Sequence, residues 1–309
     1  MQMAINSPLA LFMNGSDRIF WGYLIVSAII AIGWYAFKVG RISVPILKAY
    51  WFNADAKLDY RYFVFNWLFT AFFIVPILLS GNTVALWTLN RLNELSEPLF
   101  LSWYYRDIIL AYTLSLFVLG DFSRYWLHRW MHKNRWLWKF HQVHHSAESL
   151  NPLTFYRLHP VEIILFALRN AVVAGVVTGV FIFCFGARID LYTVLGGNIF
   201  IVILFSFTGN LRHSHIRLSY GRWLERVLIS PAQHQVHHQQ KHIHKNLGSI
   251  IALWDWMFGT LRLSKDVPLD EKFGLGRGKR EKFDGIIKII IQPFFEIYRS
   301  IKRNLNEKH

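Results

Sequence analysis

Residues 121–145 read DFSRYWLHRWMHKNRWLWKFHQVHH and hold five histidines: His128, His132, His141, His144 and His145. His128 and His132 stand four apart, and His141, His144 and His145 stand at i, i+3 and i+4. On an α-helix each set projects from one face. A second triplet of the same form, His234, His237 and His238, follows later in the chain. Neutral imidazole is a ligand for iron, copper and zinc at neutral pH, so the two triplets and the pair read as a metal site.

The sequence around this stretch points to a membrane. Of 309 residues 53% are hydrophobic, and they gather in long runs. Ile19–Phe37, Tyr62–Ser80, Val161–Phe185 and Leu191–Leu211 are long enough to be spans. The last two are joined by a tight connection over Gly186–Asp190. Asp107–Gly120 is shorter, and we expect it to continue as one helix through Arg124–His132, lifting the first histidine pair out of the bilayer. Pro76 should kink or end the second span. Arg169 and Asn170 interrupt an apolar run and should turn a polar face inward. The expected architecture is an all-α integral membrane protein with four to five transmembrane helices in hairpins and a cytoplasmic, helical, histidine-rich cap.

Three regions follow. Residues 1–106 form a membrane region of two spans and an interfacial segment marked by Trp87, Trp103, Tyr104 and Tyr105. Residues 107–261 carry the histidines. Residues 262–309 are a basic tail whose Phe283–Ile301 stretch is amphipathic and suits a membrane surface. The first 18 residues lack a basic start and a cleavage site, so no removed signal is expected.

Charge orients the chain. The formal net charge is +15, but the cations flank apolar spans and no nucleic-acid motif occurs, so no nucleic-acid partner is expected. With the N-terminus outside, residues 38–61, 121–160 and 212–309 fall inside, holding five, six and eighteen of the 34 Lys and Arg. That satisfies the positive-inside rule and puts every histidine cluster on one face. The single cysteine, Cys184, excludes a disulfide or a thiolate zinc site within one chain.

Carboxylates are scarce near the clusters, with Asp121, Glu148 and Glu162 the main candidates, and no Glu-x-x-His pair or HExxH occurs. Eight motif histidines are too many for one ion and suit two. At this point HRWMH (128–132), HQVHH (141–145) and HQVHH (234–238) resemble the three histidine boxes of the fatty acid hydroxylase and sterol desaturase superfamily. Asp121 and Arg124, the segment LTFYRLHPVE, HSHIRL at 213–218 and NLGSIIALWDWMFGTL at 246–261 resemble it too. The resemblance covers roughly Leu110 to Leu261.

It implies a membrane-bound, non-haem di-iron oxygenase with two iron ions, O2 as co-substrate and electrons from a separate reductase or carrier. The substrate would be a lipid such as a fatty acyl chain or sterol, hydroxylated or desaturated at a C–H bond. Carried over by position, the metal ligands are His128, His132, His141, His144, His145, His159, His213, His234, His237 and His238. Asp121 and Asp255 would serve the catalytic site by orienting ligand imidazoles. Leu247 stands where an aromatic residue is common, and His215 where Asn is common. A two-metal zinc lipid hydrolase and, further off, a metal transporter are the rival readings. The sequence leaves the substrate, the oligomeric state and the choice between a bacterial inner membrane and the endoplasmic reticulum open.

Overall fold

The computed structural model describes residues 12–13, 15, 19–38, 43–187, 189–191, 193–194, 197–206, 209–268, 271–276 and 278–306. The helices of the first half are α1 (Trp21–Lys38), α2 (Val44–Trp51), α3 (Ala54–Phe69), α4 (Gly81–Leu95), α5 (Tyr105–Lys133) and α6 (Arg135–His141). The second half adds α7 (Pro160–Phe185), α8 (Ile199–Ser206), α9 (Gly221–Leu224), α10 (Pro231–His238), α11 (Leu253–Met257) and α12 (Ile286–Asn306). Among the described residues the only strand pair is a two-residue hairpin, 193–194 with 197–198, so the chain is helical as expected. Four stretches are long and apolar enough to cross a bilayer: α1, 54–95, α5 and α7.

The second span differs from its expected bounds, 62–80. It starts at Ala54, capped by the Asn53 side chain, which accepts from the Ala56 amide at 2.8 Å. It loosens into a π-turn over Thr70–Ile74 and a 3-10 turn over Val75–Ile77, where Pro76 breaks the α-helical hydrogen bonding. Ser80 then caps α4.

Gly81–Leu95, expected at the interface, instead runs parallel to α7. The reason lies in Gly175 and Gly179. A Cβ on Gly175 would collide with Val84, and one on Gly179 would meet the Ala85 carbonyl oxygen and Thr88 Cβ at 2.7 Å. Two glycines four apart on one helix face let the backbones touch.

α5 and α7 are antiparallel. Tyr112 and Thr178 share a hydroxyl hydrogen bond of 2.8 Å, and Arg169 donates to the Gly120 carbonyl (2.5 Å) and Ser123 Oγ (2.8 Å). The polar face of α7 is thus turned inward, as its interrupting Arg predicts. The expected fifth span, 191–211, is helical over 199–206; residues 188, 192, 195–196 and 207–208 lie outside those described, as does His309.

Helix ends converge on one side. The end of α5 and the start of α7 meet α6, the turn Asn210–His213 meets α10, and α3 packs on the turn Pro152–Tyr156 and on α12, forming a cap. Arg157, 1% exposed, ties it together by donating to Asp59 at 2.5 Å and to Asp55 and Ser146 Oγ at 3.3 Å. Val143 packs in a core with Leu58, Tyr62, Phe283 and Ile289. That core seats α12 against α3 and the histidine-bearing turn.

Candidate metal centre

Local sequence sets each ligand-bearing element. Asn134 ends α5 and caps α6, its side chain accepting from Trp136 and Leu137. α6 stops at His141, and His144 and His145 follow in a 3-10 turn. α10 starts with Pro231 behind a capping box, in which Ser230 and Gln233 satisfy each other's backbone amides.

Nine of the ten histidines expected to bind metal come together in two groups. His128, His132, His141, His145 and His237 form one; His144, His213, His234 and His238 form the other. Within each group the candidate ligand atoms lie within 4.8 Å of one another. His159 is in neither. Its Nδ1 accepts the Val161 amide (3.1 Å) and its Nε2–H donates to the Ile290 carbonyl (3.0 Å), so it caps α7 and holds α12. His215 also lies outside both groups, hydrogen-bonded to Tyr35 at 2.7 Å.

The tautomers show what these groups need. His128 Nδ1 lies 2.7 Å from the Leu247 carbonyl, His237 Nδ1 2.8 Å from the Lys245 carbonyl and His141 Nδ1 2.9 Å from Glu162 Oε1. Each partner is an acceptor, so each Nδ1 carries the proton and each Nε2 presents a lone pair. Yet His128 Nε2 and His141 Nε2 stand 3.1 Å apart. Two lone pairs at that distance repel unless a cation lies between them.

The second group shows the same close approach of ring nitrogens, with His213 Nε2 at 3.3, 3.0 and 3.1 Å from the Nε2 atoms of His144, His238 and His234. Metal–imidazole bonds near 2.1 Å place ligand nitrogens at right angles about 3.0 Å apart. Both nitrogens of His145 and Nε2 of His237 are buried without a hydrogen-bond partner, which a metal would supply.

Burial and neighbouring histidines hold the imidazoles of His144, His145, His234 and His238 well below their usual pKa; His237 is pushed down to about 3. They are neutral lone-pair donors at pH 7. The donor set is nitrogen only, which fits borderline first-row metals rather than calcium or magnesium.

Asp121 and Asp255 act one step further out than expected. Neither accepts from a ligand imidazole. Asp121 takes the Ile250 and Ile251 amides and the Trp254 indole N–H at 2.9–3.0 Å. Asp255 takes the Leu247 and Gly248 amides at 2.7 Å and the Thr260 hydroxyl at 2.6 Å. Together they fix the loop 246–251, which turns through Asn246 at φ 53° and aims the Leu247 carbonyl at His128. The carboxylate that does touch a candidate ligand, His141, is Glu162, in the first turn of α7. Its signal in the sequence was its place after the His-Pro pair.

Comparison with known proteins follows the same residues. The fatty acid hydroxylase family model matches residues 113–260, the interval that contains both histidine groups. Over that interval the chain is similar to the fatty acid hydroxylase and sterol desaturase superfamily. Alkylglycerol monooxygenase of Danio rerio is 33% identical over 159 residues, 50% of this chain and 32% of that protein. The Homo sapiens alkylglycerol monooxygenase is 28% identical over 185 residues, 59% of this chain and 36% of that protein. Ornithine lipid hydroxylase OlsE of Rhizobium tropici is 26% identical over 179 residues, 57% of this chain and 48% of that protein. The chain thus spans about a third to a half of the length of these relatives. No solved structure matches it. Its four apolar stretches, each long enough to cross a bilayer, make the chain a multi-pass membrane protein.

Proposed function

We propose that this protein is a membrane-bound, O2-dependent di-iron oxygenase that hydroxylates or desaturates a C–H bond of a lipid. The ligands would be the nine grouped histidines, with iron as the metal and electrons drawn from a separate carrier. The observation that carries the reading is the 3.1 Å approach of two Nε2 atoms whose Nδ1 protons are already committed to acceptors. The relatives support the lipid: those compared are named for oxidation of an ether lipid and of an aminolipid.

The chain's own residues do defined work in this scheme. Glu162 and the Leu247 and Lys245 carbonyls hold three imidazoles in the Nε2-presenting tautomer. The buried cap keeps water out. α5 runs unbroken from the far side of the membrane to His132, so a lipid chain lying along it ends at the first histidine group. Bound there, iron supplies the chemistry that activates dioxygen against an unactivated C–H bond. The excess of Lys and Arg around the cap supports a cytoplasmic orientation, in a bacterial inner membrane or the endoplasmic reticulum.

The test is lipid analysis by mass spectrometry of membranes with and without the protein, under labelled dioxygen. A lipid gaining one labelled oxygen atom, or losing two hydrogens only when oxygen is present, supports the proposal. Oxygen-independent cleavage of an ester bond by zinc-loaded protein overturns it.

A further inference from the structure

A cleft of about 400 Å³ opens on the cap where α6, residues 279–283 and α12 meet. Lys139, Lys279, Lys282, Arg299 and Arg303 line it against one carboxylate, Glu296. Glu296 pairs with Lys139 at 2.9 Å and Lys282 at 3.3 Å, so the rim keeps a strong positive excess. The inner wall is Trp138. Its ring centroid lies 5.1 Å from that of His132, 5.5 Å from His145 and 6.2 Å from His141, three of the five histidines in the first group. The Trp138 indole therefore links the cleft to the candidate metal site, with the exposed His244 ring beside it, 5.6 Å from His132.

The orientation of α12 selects the occupant. Ile287, Ile291, Phe294, Tyr298, Ile301 and Leu305 recur every three or four residues, and all are exposed. Such a stripe belongs against a bilayer. Arg299 and Arg303 lie about 140° around the helix from it, at 100° per residue. With the stripe in the membrane surface the cleft faces water, so its partner is soluble and acidic rather than a lipid headgroup.

We propose that an acidic one-electron carrier protein docks in this cleft and that Trp138 is the point of electron entry into the first histidine group. The inference rests on the oxygenase reading. In each hydroxylation two carriers give up one electron apiece. These electrons and two protons from water reduce one oxygen atom of dioxygen to water, while the other enters the C–H bond.

The experiment uses iron-loaded protein in nanodiscs, without lipid substrate or oxygen, and an acidic plant-type [2Fe–2S] ferredoxin as probe. The double variant Lys279→Glu/Arg299→Glu should weaken binding by about tenfold or more and flatten its salt dependence, whereas Arg226→Glu, on another part of the cap, should not. With photoreduced ferredoxin, Trp138→Leu should slow reduction of the iron by about tenfold at unchanged Kd, and Trp138→Phe by about threefold or less, while dithionite reduces all alike. Equal Kd and equal salt slope for the native and double-variant proteins would overturn the docking site. Reduction of Trp138→Leu at the native rate would overturn the entry point. Should Trp138→Leu lose iron, the double variant and Trp138→Phe decide. Neither arm reads lipid oxidation, so a failure of the oxygenase reading would show separately.

Discussion

His144 and His237 cross over: each sits in a triplet whose other two histidines face the opposite group. His141 and His145 join the first group while His144 joins the second; His234 and His238 join the second while His237 joins the first. Helix geometry explains the exchange for α10. At 100° per residue the i+4 side chain lies about 40° from i, but i+3 lies about 60° to the other side. One triplet cannot aim three ring nitrogens at one point, so it serves two. Neither site is complete without both triplets.

Glu162 should matter through His141. Its carboxylate accepts the Nδ1 proton at 2.9 Å, which makes Nε2 the donor and raises its basicity. Glu162→Gln keeps an acceptor but drops the charge, and should weaken metal affinity by about 10–100-fold. Glu162→Ala should weaken it further. Metal competition titration checks both, and native affinity in Glu162→Ala would remove the assigned role.

Asp255 and Asp121 should show up first in stability. Each carboxylate accepts three hydrogen bonds from the loop side, and an Asn in its place leaves buried donors facing an amide N–H. Asp255→Asn should cost about 1–3 kcal/mol, as should Asp121→Asn. Denaturation in detergent measures this, and unchanged midpoints would show the loop is held otherwise.

The pins on α12 are pH-sensitive. Burial pushes His159 down to about 4, against the hydrogen bond to the Ile290 carbonyl, which raises it. A folded value below the ordinary one, about 6.5, means the neutral ring's contribution is complete above 6.5 and lost as pH falls toward 4. Glu296 follows lower down. Burial raises it, but hydrogen bonds from Gln142 and Lys139 and nearby charge outweigh this and hold it at about 2. Its contribution is complete above about 4.5 and fades below. Proteolytic release of the tail should therefore rise between pH 7 and about 4, and His159→Asn, which keeps donor and acceptor without titrating, should flatten that rise.

Gly179→Leu should force α4 and α7 apart and destabilise the chain by about 1–3 kcal/mol without touching either histidine group. The thermal midpoint should fall while metal affinity per folded molecule stays native.

Much of the site was legible because histidine spacing carries helical geometry directly: nine of ten expected ligands converge. His159 was misread because a His-Pro before a helix also spells an N-cap followed by proline at the first turn. The carbonyls of Leu247 and Lys245 leave no trace in the residue letters, since any residue offers one. That Asp121 does not orient an imidazole was hidden because spacing along one helix says nothing of a loop folded over it from 130 positions away, and Asp255 is taken up by its own near neighbours Leu247, Gly248 and Thr260. The place of α4 was hidden for a similar reason. Its mixed composition suits an interface, and the two glycines that receive it lie on another helix.

Iron content per chain, measured on native protein, His144→Ala and His237→Ala in nanodiscs, decides between two shared sites and one. The native chain should hold two iron ions. Each variant should destabilise the group opposite to the one its own triplet mainly serves, so that one ion remains at native affinity in each. A native chain with a single ion, or both variants retaining two, would contradict the two shared sites.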